Sequence, residues 1–296
     1  MKTKIILLFL TLLTCSFAQN YDGRNVLGAE LYSSELFRFG RFEVRMRMAA
    51  TSGSVSSMFL YHNDSYLGAP EPWREIDMEV LGKSPLSFQS NIITGAAGKQ
   101  TTSEQHHALD FSTQESYNTY AIEWTPTGVA WFINGTEVRR TAGTQQTNDL
   151  QDTDQGLRFN LWSSTSVPWA GAFDTGTLPI HQFINWVKVY DYTPGAGENG
   201  SDFTLRWADE FDSFETARWN KGNWTFDGNS AYLTPQNINV QNGTLIISLT
   251  TTENPGFSGT VPEDNAPSSI RPPFRKPVKR SSEKASHFDL LGRSVK

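Results

Sequence analysis

The chain has 296 residues, 38% of them apolar and about 46% once its 23 glycines are counted, so it can bury a sizeable core and is not a disordered polymer. Its net charge is −6, but residues 271–296 carry eight Lys or Arg against Glu283 and Asp289, a net of +6, which leaves −12 on the rest. So acidic a body argues against a nucleic-acid partner, while nine Trp residues and 12% aromatics supply flat amphipathic faces for a core or a binding surface.

The first residues, MKTKIILLFLTLLTCSFAQN, place Lys2 and Lys4 before an apolar run and Ser16 and Ala18 before Gln19. This is the pattern of a secretory signal peptide over 1–18, cleaved after Ala18. A lipoprotein reading through Cys15 ranks lower, because Thr14 is atypical before the modified cysteine. Cys15 is the single cysteine of the sequence, so the exported protein is expected to lack a disulfide and to rest on its core or a bound ion. No other apolar run approaches the ~20 residues of a membrane span.

Short alternating runs follow: 42–48, 55–63, 74–81, 87–94, 119–125, 128–140, 157–163, 183–192 and 237–250. Asn134-Gly135 and Asn242-Gly243 each sit between strand-like runs, the strongest short hairpin signal. No long segment repeats every 3.6 residues. The expected fold is therefore an all-β sandwich or barrel of antiparallel strands. The body spans 19–262. Residues 263–296, containing APSSIRPPFRKPVKRSSEKAS, read as a basic Pro- and Ser-rich linker and tail. The final SHFDLLGRSVK faintly resembles the start of a bacterial C-terminal sorting domain, which would place the protein at the cell surface, although an unstructured tail is preferred.

One stretch stands out. In EIDMEVLG, residues 75–82, a strand puts Glu75, Asp77 and Glu79 on one face and Ile76, Met78 and Val80 on the other. Three carboxylates in a row repel one another and add nothing to stability. Glu75 and Glu79 have Cα atoms about 13 Å apart along a strand. Leaning inward, their carboxyl groups can approach the ~5–5.5 Å of retaining glycoside hydrolysis, with Asp77 bonding the nucleophile and keeping the acid protonated. An exposed acidic strand and a Ca²⁺ site are the plainer readings. Against them stand neighbouring strands that bring aromatic and amide side chains to the same face. Phe59, Tyr61 and Asn63 share a face, as do Gln89 with Asn91, and Arg158, Asn160 and Trp162. Amides and acids match sugar hydroxyls, and flat rings stack on pyranose faces.

EIDMEVLGK resembles the active-site strand of glycoside hydrolase family 16, and its uninterrupted ExDxE spacing resembles the licheninase branch. Laminarinases of that family usually insert one residue before the last acid. The resemblance extends over residues 24–262 through GAELYSSELFRFGRFEVRMRMAATSGSVSSMFLY, FQSNIITG, GLRFNLWSS and FINWVKVY. It implies a jelly-roll sandwich of two antiparallel sheets with a concave cleft. It also implies an endo-1,3-1,4-β-glucanase acting with retention on mixed-linkage glucans, which the signal peptide makes a secreted enzyme and which is expected to be a monomer. In most members a FDxF…W segment and a dGxLxL hairpin precede the catalytic strand. Here EFDSFETARWNKGNWTFDG (210–228) and NGTLIISL (242–249) follow it, as in a circular permutation joined at TPGAGENGS (193–201). The resemblance makes Glu75 the nucleophile, Asp77 the assisting acid and Glu79 the acid/base. It assigns substrate contacts to Phe59, Tyr61, Asn63, Trp73, Gln89, Asn91, Arg158, Asn160, Trp162, Trp169 and Trp224. It further implies a structural Ca²⁺ away from the cleft, at Asn185, residue 210 and the Gly243 carbonyl, with Glu210 standing where a related member has Asn. No organic cofactor is implied. A laminarinase-type or other family 16 glycanase, or a non-catalytic carbohydrate-binding module on the same sandwich, are the rival readings.

Adjacent side chains diverge in a strand, so His106 and His107 read as surface or structural positions rather than a metal pair. Trp124, Trp131 and Trp186 alternate with apolar neighbours and are assigned to the core, while Trp207 and Trp219 stay open.

Overall fold

The structure is a computed structural model and describes residues 20–265. The signal peptide expected over 1–18 and the sorting-domain-like end lie outside the described residues. Strands β1 (Val26–Phe37), β2 (Gly40–Arg47), β3 (Ser54–Tyr61), β4 (Pro72–Leu81) and β5 (Ser87–Ala96) come first. Two short strands, β6 (Lys99–Thr102) and β7 (Gln105–Ala108), follow. Next are β8 (Asn118–Thr125), β9 (Gly128–Ile133), β10 (Thr136–Ala142), β11 (Gln155–Ser163) and β12 (Ile180–Tyr192). After the Gly-rich joint come β13 (Phe203–Asp209), β14 (Trp219–Lys221), β15 (Tyr232–Leu233), β16 (Ile238–Gln241) and β17 (Thr244–Thr251). Among the described residues the longest helix is the five-residue turn Gln145–Asp149.

The strands form two antiparallel layers. The first runs β14–β1–β11–β3–β4–β5, with β6 and β7 sharing the outer edge of β5. The second runs β10–β9–β8–β2–β12, whose far edge is shared by β13 and β17, with β16 beyond β17. The start of β1 crosses to pair with β17, and it takes β15 as a parallel neighbour. Strands from after residue 201 thus complete both layers.

Alternation explains which face each strand buries. Met58 and Leu60 of β3, Ile76, Met78 and Val80 of β4, and Leu157, Phe159 and Leu161 of β11 form the inner face of the first layer. They pack on Phe42, Val44 and Met46 of β2 and on Ile122 and Trp124 of β8. Each such side chain stabilises the fold by about 1.5–3 kcal/mol. That burial sets the register: a one-residue slip of β4 would expose Ile76, Met78 and Val80 and drive Glu75, Asp77 and Glu79 into the core.

Both hairpin signals are borne out. Asn134 and Gly135 have φ of 49° and 77°, and Asn242 and Gly243 have 53° and 69°, the left-handed pair that a two-residue turn requires. Trp124 and Trp131 are fully buried and Trp219 is at 1% exposure, with Trp207 packed partly against the core. Trp186 departs from expectation. The register of β12 shifts between Ile184 and Trp186, and the indole lies half-buried with the Lys188 ammonium 4.3 Å from its ring centroid.

Candidate active site

The outer face of the first layer carries the acids, and strand pairing arranges its side chains in rows. One row runs Tyr32, Arg158, Phe59, Asp77 and Asn91 across β1, β11, β3, β4 and β5. The next runs Glu30, Asn160, Ser57, Glu79, Gln89 and His106, ending on β7. Glu75 faces Tyr61 on β3. β4 pairs with β3 from Glu75 to Leu81 and with β5 from Pro72 to Glu79 without a shift, so no bulge separates the three acids.

Each acid is held by named neighbours. The Trp73 indole N–H donates to Glu75 Oε2 at 2.7 Å, and the Trp73 ring meets the Tyr61 ring edge-on at 5.7 Å. Gln89 Nε2 donates to Glu79 Oε2 at 3.1 Å, while Gln89 Oε1 accepts from the Trp169 indole at 3.0 Å. Asp77 is 4% exposed. Behind it the Trp131 indole N–H donates to its main-chain carbonyl at 2.9 Å and pins the middle of the strand from the core side.

Burial pushes all three carboxyls upward. Glu75 is raised to about 7 by burial, held back by the Trp73 N–H, the Arg158 guanidinium and a hydrogen bond with Asp77. Glu79 is raised to about 8 by burial and by repulsion from Glu75 and Glu104. Asp77 lies well above its ordinary range through burial, then the charges of Glu75 and Glu79 and its hydrogen bond to Glu75. The source of Glu79's repulsion is thus Glu75 and Glu104, where the sequence pointed to Asp77. A carboxyl kept protonated beside one held more acidic is an acid paired with a base or nucleophile.

Most of the other expected contacts meet at this face. Phe59, Tyr61, Asn91, Asn160 and Trp162 lie on it and are largely buried. Arg158 donates to Asn63 Oδ1 at 2.7 Å and stacks over Tyr61 and Tyr32. Trp162 packs with Trp169 at 5.9 Å between ring centroids. Trp224 comes from the distant segment after β14, 5.5 Å from Tyr32 and against the cluster that contains Trp162.

Sequence reading missed Glu30. It is 3% exposed and bonds both Arg158 and Asn160. Its alternation with Tyr32 against Ala29 and Leu31 was visible in GAELYSS. The two histidines diverge as expected. His107 stacks on Phe88 and bonds Ser90, whereas His106 ends the Glu79 row and bonds Glu104 at 2.9 Å.

Asn185, Glu210 and Gly243 line one cavity of about 690 Å³ away from this face, together with Asp212, Glu263 and Asp264. A side chain on Gly243 would stand 3.9 Å from the Glu210 main-chain oxygen, so the two turns adjoin through backbone. Amide, carbonyl and carboxylate oxygens are the donors a hard divalent cation takes, and this set fits Ca²⁺. Among the described residues, His62, Asp64 and Glu71 form a separate group close enough to share an ion, with His62 already bonded to Glu71.

The chain is similar to known proteins over most of its length. The model of the glycosyl hydrolases family 16 matches residues 11–188. A β-glucanase of Fibrobacter succinogenes is 56% identical over 248 residues, covering 84% of this chain and 70% of that protein. A β-glucanase of Brevibacillus brevis is 36% identical over 58% of this chain, which spans 62% of that relative's length. A solved Bacillus licheniformis β-glucanase superposes with a TM-score of 0.47 at 30% identity, covering 54% of this chain and 70% of that one.

Proposed function

This chain belongs to the glycosyl hydrolases of family 16, and on that premise we propose that it is a secreted endo-1,3-1,4-β-glucanase acting with retention on mixed-linkage β-glucans. The observation that carries the reading is the unbroken row of Glu75, Asp77 and Glu79 on a face lined by amides and aromatic rings. The relative of highest quoted identity bears the name β-glucanase, and the absence of a bulge in β4 favours the licheninase spacing over the laminarinase one.

In the proposed reaction Glu75, ionised and aimed by the Trp73 N–H, attacks the anomeric carbon while Glu79 gives its proton to the leaving glycosidic oxygen. The bond to Glu75 forms as the bond to the leaving sugar breaks. Glu79, now a carboxylate, takes a proton from water, whose oxygen displaces Glu75 and releases the sugar with its configuration kept. Asp77 keeps its proton on the hydrogen bond to Glu75 and steadies its charge. Phe59, Tyr61, Trp162, Trp169 and Trp224 offer stacking surfaces; Asn63, Asn91, Arg158 and Asn160 offer hydroxyl contacts. Ca²⁺ held at Asn185, Glu210 and the Gly243 carbonyl would supply structural stability, away from the chemistry. The late strands that complete both layers support the permuted order, and the opening segment supports export. Among the described residues no helix is long and apolar enough to cross a membrane.

Reducing-sugar release on lichenan, laminarin and carboxymethyl cellulose, measured side by side, tests the reading. Release from lichenan well above the other two is expected. Release mainly from laminarin moves the protein to the laminarinase reading, and binding without release moves it to the carbohydrate-binding module.

A further inference from the structure

The last described residues are fastened to the second layer. Gly256 N–H donates to Asn237 Oδ1 at 2.7 Å, and the Phe257 ring meets His181 at 4.8 Å and Phe183 at 5.7 Å. Val261 packs on the cluster of Tyr117, Phe183 and Ile246. Beyond it, Asp264 takes two bonds from Arg45, Nε to Oδ2 at 2.8 Å and Nη2 to Oδ1 at 2.6 Å. The Arg45 and Asp264 side chains are 11% and 22% exposed, so solvent screens the pair only partly.

The same carboxylate accepts a third bond, from Asn185 Nδ2 at 2.9 Å. A carboxylate can only accept, so Asn185 must turn its NH₂ toward Asp264. Its amide oxygen then faces the other way, where the Thr244 hydroxyl donates to it at 3.2 Å beside Gly243. That is the oxygen the cation reading requires at this corner of the cavity. Without Asp264 the amide loses the partner that dictates its orientation. Carboxylates that orient a metal ligand in this way commonly set affinity by 10–100-fold.

We infer that Asp264 orients Asn185 toward the cation, so that docking of segment 256–264 and Ca²⁺ binding strengthen each other. The inference rests on the Ca²⁺ reading above. Such coupling is reciprocal: the ion must tighten the segment as much as the segment tightens the ion.

The test uses the full chain, stripped with a chelator and titrated with calcium chloride. Melting temperature reports ion binding, and cleavage within 256–264, located by mass spectrometry, reports docking. In the wild type, Ca²⁺ should raise melting and slow cleavage. Asp264→Ala should need about 10–100-fold more Ca²⁺ for the same rise and lose most of the ion-dependent protection. Phe257→Ala, which leaves every cavity group in place, should shift the titration in the same direction. If either variant titrates like the wild type, the coupling is wrong while the ion site stands. If Ca²⁺ does not change wild-type melting, the ion reading fails and the coupling with it.

Discussion

At the scale of single residues, two glutamates on one strand have different surroundings, which suit them to the two roles proposed for them. Glu75 has the Trp73 N–H and Arg158 to favour its charge, whereas Glu79 meets burial and the charges of Glu75 and Glu104. The proposed hydrolysis needs Glu75 ionised and Glu79 protonated. With the two raised to about 7 and about 8, kcat/KM should form a narrow bell, falling on the acid side as Glu75 gains a proton and on the alkaline side as Glu79 loses one. A profile flat across both limbs would break the assignment. Glu75→Gln should abolish turnover with little change in melting temperature. Glu79→Gln should be inactive on glucan yet rescued by azide on an activated aryl glycoside, and Asp77→Asn should be impaired less than either. Trp224 tests the stacking surface. Trp224→Ala should remove ~1–3 kcal/mol of substrate interaction, with Trp224→Phe retaining much of the activity. Unaltered kinetics with reduced melting would make Trp224 a packing residue.

At the scale of elements, β4 was legible in the sequence because its two faces differ as much as two faces can. The same contrast revealed β3, β5 and β11, and the Asn-Gly turns revealed both hairpins. Where that contrast is missing, the reading failed. All four residues of β6 and three of the four in β7 are exposed, so they show no apolar alternation, and neither strand was read from the sequence. Trp186 was assigned to the core because a register shift in β12 cannot be seen in the letters. Glu30 was overlooked because a charged residue in an apolar run reads as exposed until its partner Arg158 is known. The turn chemistry can be checked directly. Gly135 has φ of 77°, so Gly135→Ala should destabilise by ~1 kcal/mol and leave kcat unchanged. A melting temperature equal to the wild type would mean the turn tolerates a side chain.

At the scale of the whole molecule, the active face is held at a cost to stability. Glu79 has an ordinary value of 4.5 and a folded one of about 8. Its protonated form is thus favoured by folding. The sign follows: the contribution is complete below the ordinary value and is lost as pH rises through the folded one. Melting temperature should fall between about pH 5 and pH 9, and Glu79→Gln should fall less over the same range. Equal slopes would contradict it. The proposal that this acidic face carries out retaining hydrolysis of a mixed-linkage glucan makes one more demand, on stereochemistry. Proton NMR of lichenan digested by the enzyme, recorded before mutarotation, reads the anomer of the first reducing end directly. The account predicts the β-anomer first, with α appearing only later; α first, or no product at all from lichenan, would contradict it.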